Sequence, residues 1–175
     1  MKPSSPKSLI NMDPKAQKKN LVLGWREWMS LKELNVNKIK VKVDTGARTS
    51  ALHATDLKFF KKGSREYVEF KVHPIQKNSN LCRTCHALVV DKRKITSSSG
   101  VSSIRPVIET ELTINNLSWP IELTLVNRDI MGFRMLLGRQ AIRGNFLVDP
   151  GRSYILTKQK STKISSRSKI KRRGN

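Results

Sequence analysis

Apolar and charged residues alternate along 38–43. Ile39, Val41 and Val43 fall on one side of an extended chain and Lys38, Lys40 and Lys42 on the other, the period-two pattern of a half-buried strand. The alternation stops at Asp44-Thr45-Gly46-Ala47, where Gly46 permits a turn. Further strands are expected over 21–29, 67–72, 87–90, 107–114, 119–126, 135–138 and 146–149, with 51–60 carrying the chain outward from the loop and 154–157 closing the domain. Residues 31–36 turn the chain into the Asp44 strand, Lys61-Lys62-Gly63-Ser64 is a turn, and 74–80 is a loop. Asn115-Asn116 links two alternating runs as a hairpin. Residues 139–143 suit a single helical turn. Eight or nine short strands with almost no helix predict an all-β fold, a closed or nearly closed β-barrel.

Two stretches carry chemistry. An acid at the end of a rigid strand, where the chain turns, is held firmly and stays reachable, as a catalytic carboxylate must. Ninety-four residues after Asp44, the apolar run Met135-Leu136-Leu137 closes on Gly138. D-T-G-A followed by two apolar residues and Gly resembles the paired signature of retropepsin-like aspartic peptidases, in which the second segment crosses beneath the Asp loop. One D-T-G is half of such a site, because the mechanism uses two carboxylates sharing one proton. The chain holds no second D-T-G or D-S-G, so this chemistry implies a symmetric homodimer, each subunit giving one Asp44. Thr45 then braces the paired loops, as the resemblance implies. Residues 92–103, basic and then Ser/Gly-rich, read either as a flap hairpin over the site or as an exposed loop.

The resemblance narrows on longer motifs. G-W-R-E-W, K-V-D-T-G-A-R-T-S-A-L-H-A, R-P-V-I-E-T-E-L, W-P-I-E-L-T-L-V-N-R-D, M-G-F-R-M-L-L-G-R and F-L-V-D-P-G-R-S-Y-I-L are similar to one bacterial family over 21–157. Its members are labelled ATP-dependent zinc proteases, or retropepsin-like proteins associated with the ATP-grasp ligase that adds glutamate to a ribosomal protein. The resemblance implies that Asp44 is catalytic. It implies that Thr45, Gly46, Ala47, Arg48, Thr49, Ser50, His53, Arg105, Arg128, Asp129, Gly138 and Arg139 lie beside the site. If the link to glutamate ligation holds, the peptide or isopeptide substrate is acidic, and Arg48, Arg105, Arg128 and Arg139 suit it. Neither G-x-x-x-x-G-K-[ST] nor H-E-x-x-H occurs, so the residues themselves support neither half of the ATP-dependent zinc label.

Composition sets the domain limits. Apolar residues make up 37% of the 175, below the globular average of about 45–50%, and the shortfall lies at the ends. Residues 1–20 read as a flexible basic leader and 158–175, with eight Lys or Arg and no acid, as a disordered basic tail. Between them, 22 basic residues face 12 acidic ones, so the 21–157 domain is basic as well. The tail suits RNA, a ribosome or another acidic polymer, or is simply solvated; it holds no aromatic for base stacking. A non-catalytic β-barrel binding module docking on such partners is the alternative to a peptidase. The sequence shows no secretory signal and no membrane-length apolar run, which suggests a cytoplasmic location.

Cys82-Arg83-Thr84-Cys85-His86 spells C-x-x-C-H, the c-type haem attachment pattern. Without an export signal the haem reading is disfavoured. Cys82 and Cys85 with two of His53, His73 and His86 offer zinc four ligands; two reduced cysteines beside a loop are the plainer reading. No cofactor is required by an aspartic mechanism.

Overall fold

The computed structural model describes residues 21–75, 82–96, 100–127 and 132–157; the leader and the basic tail lie outside them. Eleven strands, a 3-10 turn at Lys32–Leu34 and one α-helical turn follow the described chain: β1 (Leu21–Gly24), β2 (Arg26–Leu31), β3 (Val36–Asp44), β4 (Ser50–Lys62), β5 (Arg65–Val72), β6 (Arg83–Leu88), β7 (Asp91–Thr96), β8 (Ser102–Ile114), β9 (Leu117–Val126), β10 (Met135–Gly138), α1 (Arg139–Ile142) and β11 (Phe146–Asp149). The fold is all-β, of the retropepsin-like kind. No helix among the described residues is long and apolar enough to cross a membrane.

Six strands pair in a closed ring, in the order β10, β3, β2, β8, β9, β4 and back to β10. The ring surrounds the core. Ile39, Val41 and Val43 of β3 are buried, as their spacing requires, with Leu112 of β8, Leu123 and Leu125 of β9 and Leu137 of β10. Closure rests on the four residues of β10, which run parallel to β3 and antiparallel to β4. Beyond the ring, β4 continues into an antiparallel arm with β5 and β6, and β7 pairs with the outer half of β8.

Several expectations change in detail. The 21–29 strand is two strands broken at Trp25, because β1 leaves to pair in parallel with β11. Trp25 itself bridges: its carbonyl accepts from the Val43 N–H at 2.9 Å and its N–H donates to the Arg152 carbonyl at 2.9 Å. The strand expected at 87–90 is β6, four residues earlier, so Cys85 and His86 sit within a strand rather than beside a loop. Much of 92–103 is a paired hairpin, with Thr96 opposite Ser102. Asn115 turns the β8–β9 hairpin at φ 51°, a conformation Asn tolerates.

Residues 154–157 form no strand; a buried carboxylate organises them instead. Glu27 has 0% exposure. Its Oε1 accepts from the N–H groups of Gly24 (2.9 Å), Ile155 (2.8 Å) and Leu156 (3.2 Å). Its Oε2 accepts from the Thr157 N–H (3.2 Å) and hydroxyl (2.5 Å). The clasp overdetermines the segment enough to hold Tyr154 at φ 55°, a left-handed conformation that costs an aromatic residue of order 1 kcal/mol or more. Tyr154 stacks on Trp28 with ring centroids 6.2 Å apart.

Candidate active site

Asp44 ends β3 directly opposite Gly138 of β10. The chain then loops through 45–49 and enters β4. Asp44 Oδ1 accepts from the N–H groups of Gly46 and Ala47, both at 3.1 Å, so the loop's own backbone orients the carboxylate. Gly46 has no left-handed backbone. A Cβ there would stand 3.4 Å from Asp44 Oδ1, an ordinary contact distance, so neither backbone nor space demands the glycine expected to permit the turn.

The loop is supported from behind by the second signature segment. A Cβ on Gly138 would lie 2.4 Å from the Thr49 carbonyl carbon and 2.9 Å from the Ser50 nitrogen; no side chain fits between these two backbones. The Gly138 N–H donates to Ser50 Oγ at 3.1 Å, and Thr124 Oγ1 donates to the Ser50 carbonyl at 3.0 Å. The first N–H groups of α1 continue the support, Arg139 to the Ala47 carbonyl at 2.7 Å and Gln140 to the Arg48 carbonyl at 3.1 Å. The Arg139 guanidinium reaches round to the Thr45 carbonyl at 3.0 Å. Arg139 thus engages the loop itself.

Asp44 faces a cavity of about 1770 Å³. Gly46, Ala47, Arg48 and Thr49 line it from the loop. Trp25, Phe133 and Leu136 form an apolar wall, the two rings meeting edge to face at 5.8 Å. The β7–β8 hairpin supplies Arg93, Lys94, Ile95, Thr96 and Arg105. Arg93 makes a bidentate pair with Glu122 of β9, at 2.5 and 3.0 Å, and its Nε donates to Asp91 at 2.6 Å. Those bonds hold the Glu122 carboxyl below the usual range, and raise Arg93 further. Arg105 stands opposite Arg93 across the hairpin and donates to Ser103 Oγ at 2.9 Å. Burial works against its charge and lowers its pKa. Among the described residues no carboxylate forms an ion pair with it.

Asp44, Gly46, Ala47, Arg48, Thr49 and Arg105 therefore come together at the cavity, and Ser50, Gly138 and Arg139 lie behind the loop. Thr45 is exposed at the loop's tip. His53 is not at the cavity: it is 1% exposed, with its ring 5.9 Å from that of His73. Arg128 and Asp129 lie outside the described residues. Cys85 is buried, its thiol donating to the Leu34 carbonyl at 3.2 Å and pushed up to about 11 chiefly by burial. His86, next along β6, is exposed and 3.0 Å from Glu69; successive strand residues face opposite ways. Cys82 is half-buried. Among the described residues no three His, Cys, Asp or Glu side chains stand together as a metal site. Sequence reasoning missed Trp25, Arg93, Glu122 and Phe133. The one available signal was the alternation in β9, where Ile121, Leu123 and Leu125 point into the core, so that Glu122 and Thr124 face the cavity.

The family model described as RimB-like, retropepsin-like aspartic endopeptidase RimB, matches residues 22–159. The chain belongs to the RimB-like family. That description replaces the zinc protease label, which the matching family does not carry. The chain is also 44% identical over 135 residues to a probable alpha-L-glutamate ligase of Shewanella pealeana, covering 77% of this chain and 30% of that protein. Another, from Desulfotalea psychrophila, is 46% identical over 129 residues, covering 74% and 28%. The RimB-like chain thus spans about 30% of the length of these curated relatives. A solved structure of a Legionella pneumophila protein of unknown function superposes with a TM-score of 0.66 at 27% identity, covering 78% of this chain and 98% of the other.

Proposed function

We propose that the chain is an aspartic-type peptidase whose Asp44 activates water against a peptide or isopeptide bond in an acidic, glutamate-rich substrate. The observation that carries this is the Asp44 carboxylate itself. One oxygen is fixed by two loop N–H groups, the loop is backed by Gly138 and Arg139, and the whole opens on a large cavity. The second carboxylate comes from Asp44 of another copy, brought up across a two-fold axis with the exposed Thr45 loops in contact. The pair shares one proton. Its ionised member takes a proton from the attacking water, and its protonated member polarises the scissile carbonyl and later protonates the leaving amine.

Substrate class follows from the wall. Lys42, Arg48, Lys94 and Arg105 line the cavity with few acids facing them, which favours carboxylate side chains. The glutamate-ligase names borne by the relatives point the same way. No step runs through zinc or ATP, and the cytoplasm is the expected location. The test pairs molecular mass in solution with cleavage of glutamate-rich and neutral peptides, for wild type and Asp44→Asn. A dimer that cleaves, preferring the acidic peptide and unaffected by chelator, with a silent dimeric Asp44→Asn, is the expected result. A monomer whose cleavage survives Asp44→Asn overturns the reading. A monomer without cleavage returns the chain to a binding module.

A further inference from the structure

The β4–β5 arm extends beyond the ring, and its two faces differ. On one face Val68, Phe70 and Cys85 are buried in the core, and farther out Phe59 lies under the Lys92 ammonium at 5.1 Å. The other face is open. Cross-strand partners share a face, and the register places Phe60 beside Tyr67, Lys62 beside Arg65, Lys58 beside Glu69 and Glu69 beside His86. Phe60 keeps 41% of its surface exposed and stacks on Tyr67, centroids 5.7 Å apart and planes 20° from parallel. His86 meets Phe60 edge-on at 6.1 Å.

The charges around these rings are mainly positive. Lys58 and His86 both contact Glu69, and Lys71 contacts Asp56. Lys62 and Arg65, at the free end of the arm, ion-pair with no carboxylate among the described residues. A stacked ring pair on this sheet face, Phe60 exposed and Tyr67 half-buried, with cations spaced along the same strands, offers partners for both halves of a nucleotide: a ring face for the base and an ammonium or guanidinium for the phosphate. An acidic peptide would use the cations and leave the rings idle. A duplex would present phosphates with its bases already stacked on one another.

We propose that the outer face of β4, β5 and β6 binds single-stranded nucleic acid, with bases stacking on Phe60 and Tyr67 and phosphates held by Lys58, Lys62 and Arg65. The site is separate from the Asp44 cavity, whose lining contains none of these residues, and the proposal stands whatever the peptidase assay finds.

The test uses the intact chain, because the basic tail at 158–175 must be allowed to compete. A twelve-nucleotide 4-thiouridine RNA is photocrosslinked and the adducts mapped by mass spectrometry. Adducts at Phe60 or Tyr67 are expected; adducts confined to 158–175 overturn the proposal. By fluorescence anisotropy, replacing both rings (Phe60→Leu with Tyr67→Leu) is expected to weaken binding by roughly tenfold or more, as loss of base stacking does. Lys62→Gln with Arg65→Gln is expected to reduce the slope of log affinity against log salt by about 1.4, at about 0.7 for each phosphate contact on a single strand. Oligo-U and oligo-dT arms distinguish RNA from DNA. An undiminished affinity in the ring variant, or a duplex or an oligo-glutamate that binds as tightly as the single strand, overturns the proposal. Neither pair of substitutions touches the cavity, and an unchanged circular dichroism spectrum and thermal midpoint serve as the control for intact folding.

Discussion

Two carboxylates lie on neighbouring strands, Glu27 in β2 and Asp44 at the end of β3, and their surroundings are opposites. Glu27 is sealed from water and receives five hydrogen bonds through both oxygens. Asp44 is half-buried and receives two, both on Oδ1. A buried carboxylate surrounded by converging N–H groups is stabilised in one place and has no capacity left for an incoming molecule. A carboxylate held by one edge is aimed without being saturated. The same chemical group thus serves as a fastener in one strand and is left with an open oxygen at the end of the next. What separates them is the count of local donors, more than charge or residue type.

Matched amide substitutions give the sharpest test of this difference. Asp44→Asn is expected to lower peptide turnover by a factor on the order of 10³ or more, measured by steady-state cleavage, while the thermal unfolding midpoint stays within a few degrees. Glu27→Gln is expected to do the reverse. It sets an amide NH₂ against donors inside the core, at a cost of about 3 kcal/mol. The Tm, followed by circular dichroism, should fall by on the order of 10 °C, with turnover per folded molecule retained. A Glu27→Gln protein of unchanged Tm would break the comparison.

Two smaller effects refine it. Arg139→Ala removes the guanidinium bond to the Thr45 carbonyl and leaves the backbone supports; roughly fivefold slower turnover at an unchanged KM is expected, since one hydrogen bond contributes about 1 kcal/mol. The Arg93–Glu122 pair offers a pH handle. Arg93 holds the folded Glu122 carboxyl below its ordinary 4.5. Its contribution to stability is complete above that value and lost as pH falls through the lowered one. Melting curves between pH 3 and 7 should show Tm falling more steeply below pH 4.5 in wild type than in Glu122→Gln, the smallest of the four effects.

Period-two spacing was enough to locate most strands, because Ile39, Val41 and Val43 can be buried together only on an extended backbone. The Asp44 loop was legible for a similar reason, since an acid at a strand end is short-range chemistry; its Gly138 support, 94 residues on, was expected only from the family resemblance. The break at Trp25 was not legible, since it arises from a partner strand 125 residues away, β1 with β11. Arg93 and Glu122 look like ordinary surface charges in the linear order, and only the fold, with β7 and β9 both paired to β8, lets the Arg93 side chain reach Glu122. Glu27 was hidden by the same distance, for four of its five hydrogen bonds come from 155–157. In the C-x-x-C-H run the motif was legible and its geometry was not: strand pleating turns Cys85 inward and His86 outward.

The ring of strands has an effect on biosynthesis. A ribosome delivers Asp44 early, but the residues that back its loop, Gly138, Arg139 and Gln140, come about a hundred residues later. At the usual 5–20 residues per second, several seconds pass during which the nascent chain carries its acid on an unsupported loop, with β3 and β4 not yet bridged by β10. A chain truncated before β10 keeps the acid and loses the backing of its loop, so the peptidase activity proposed above is expected only once synthesis is nearly finished.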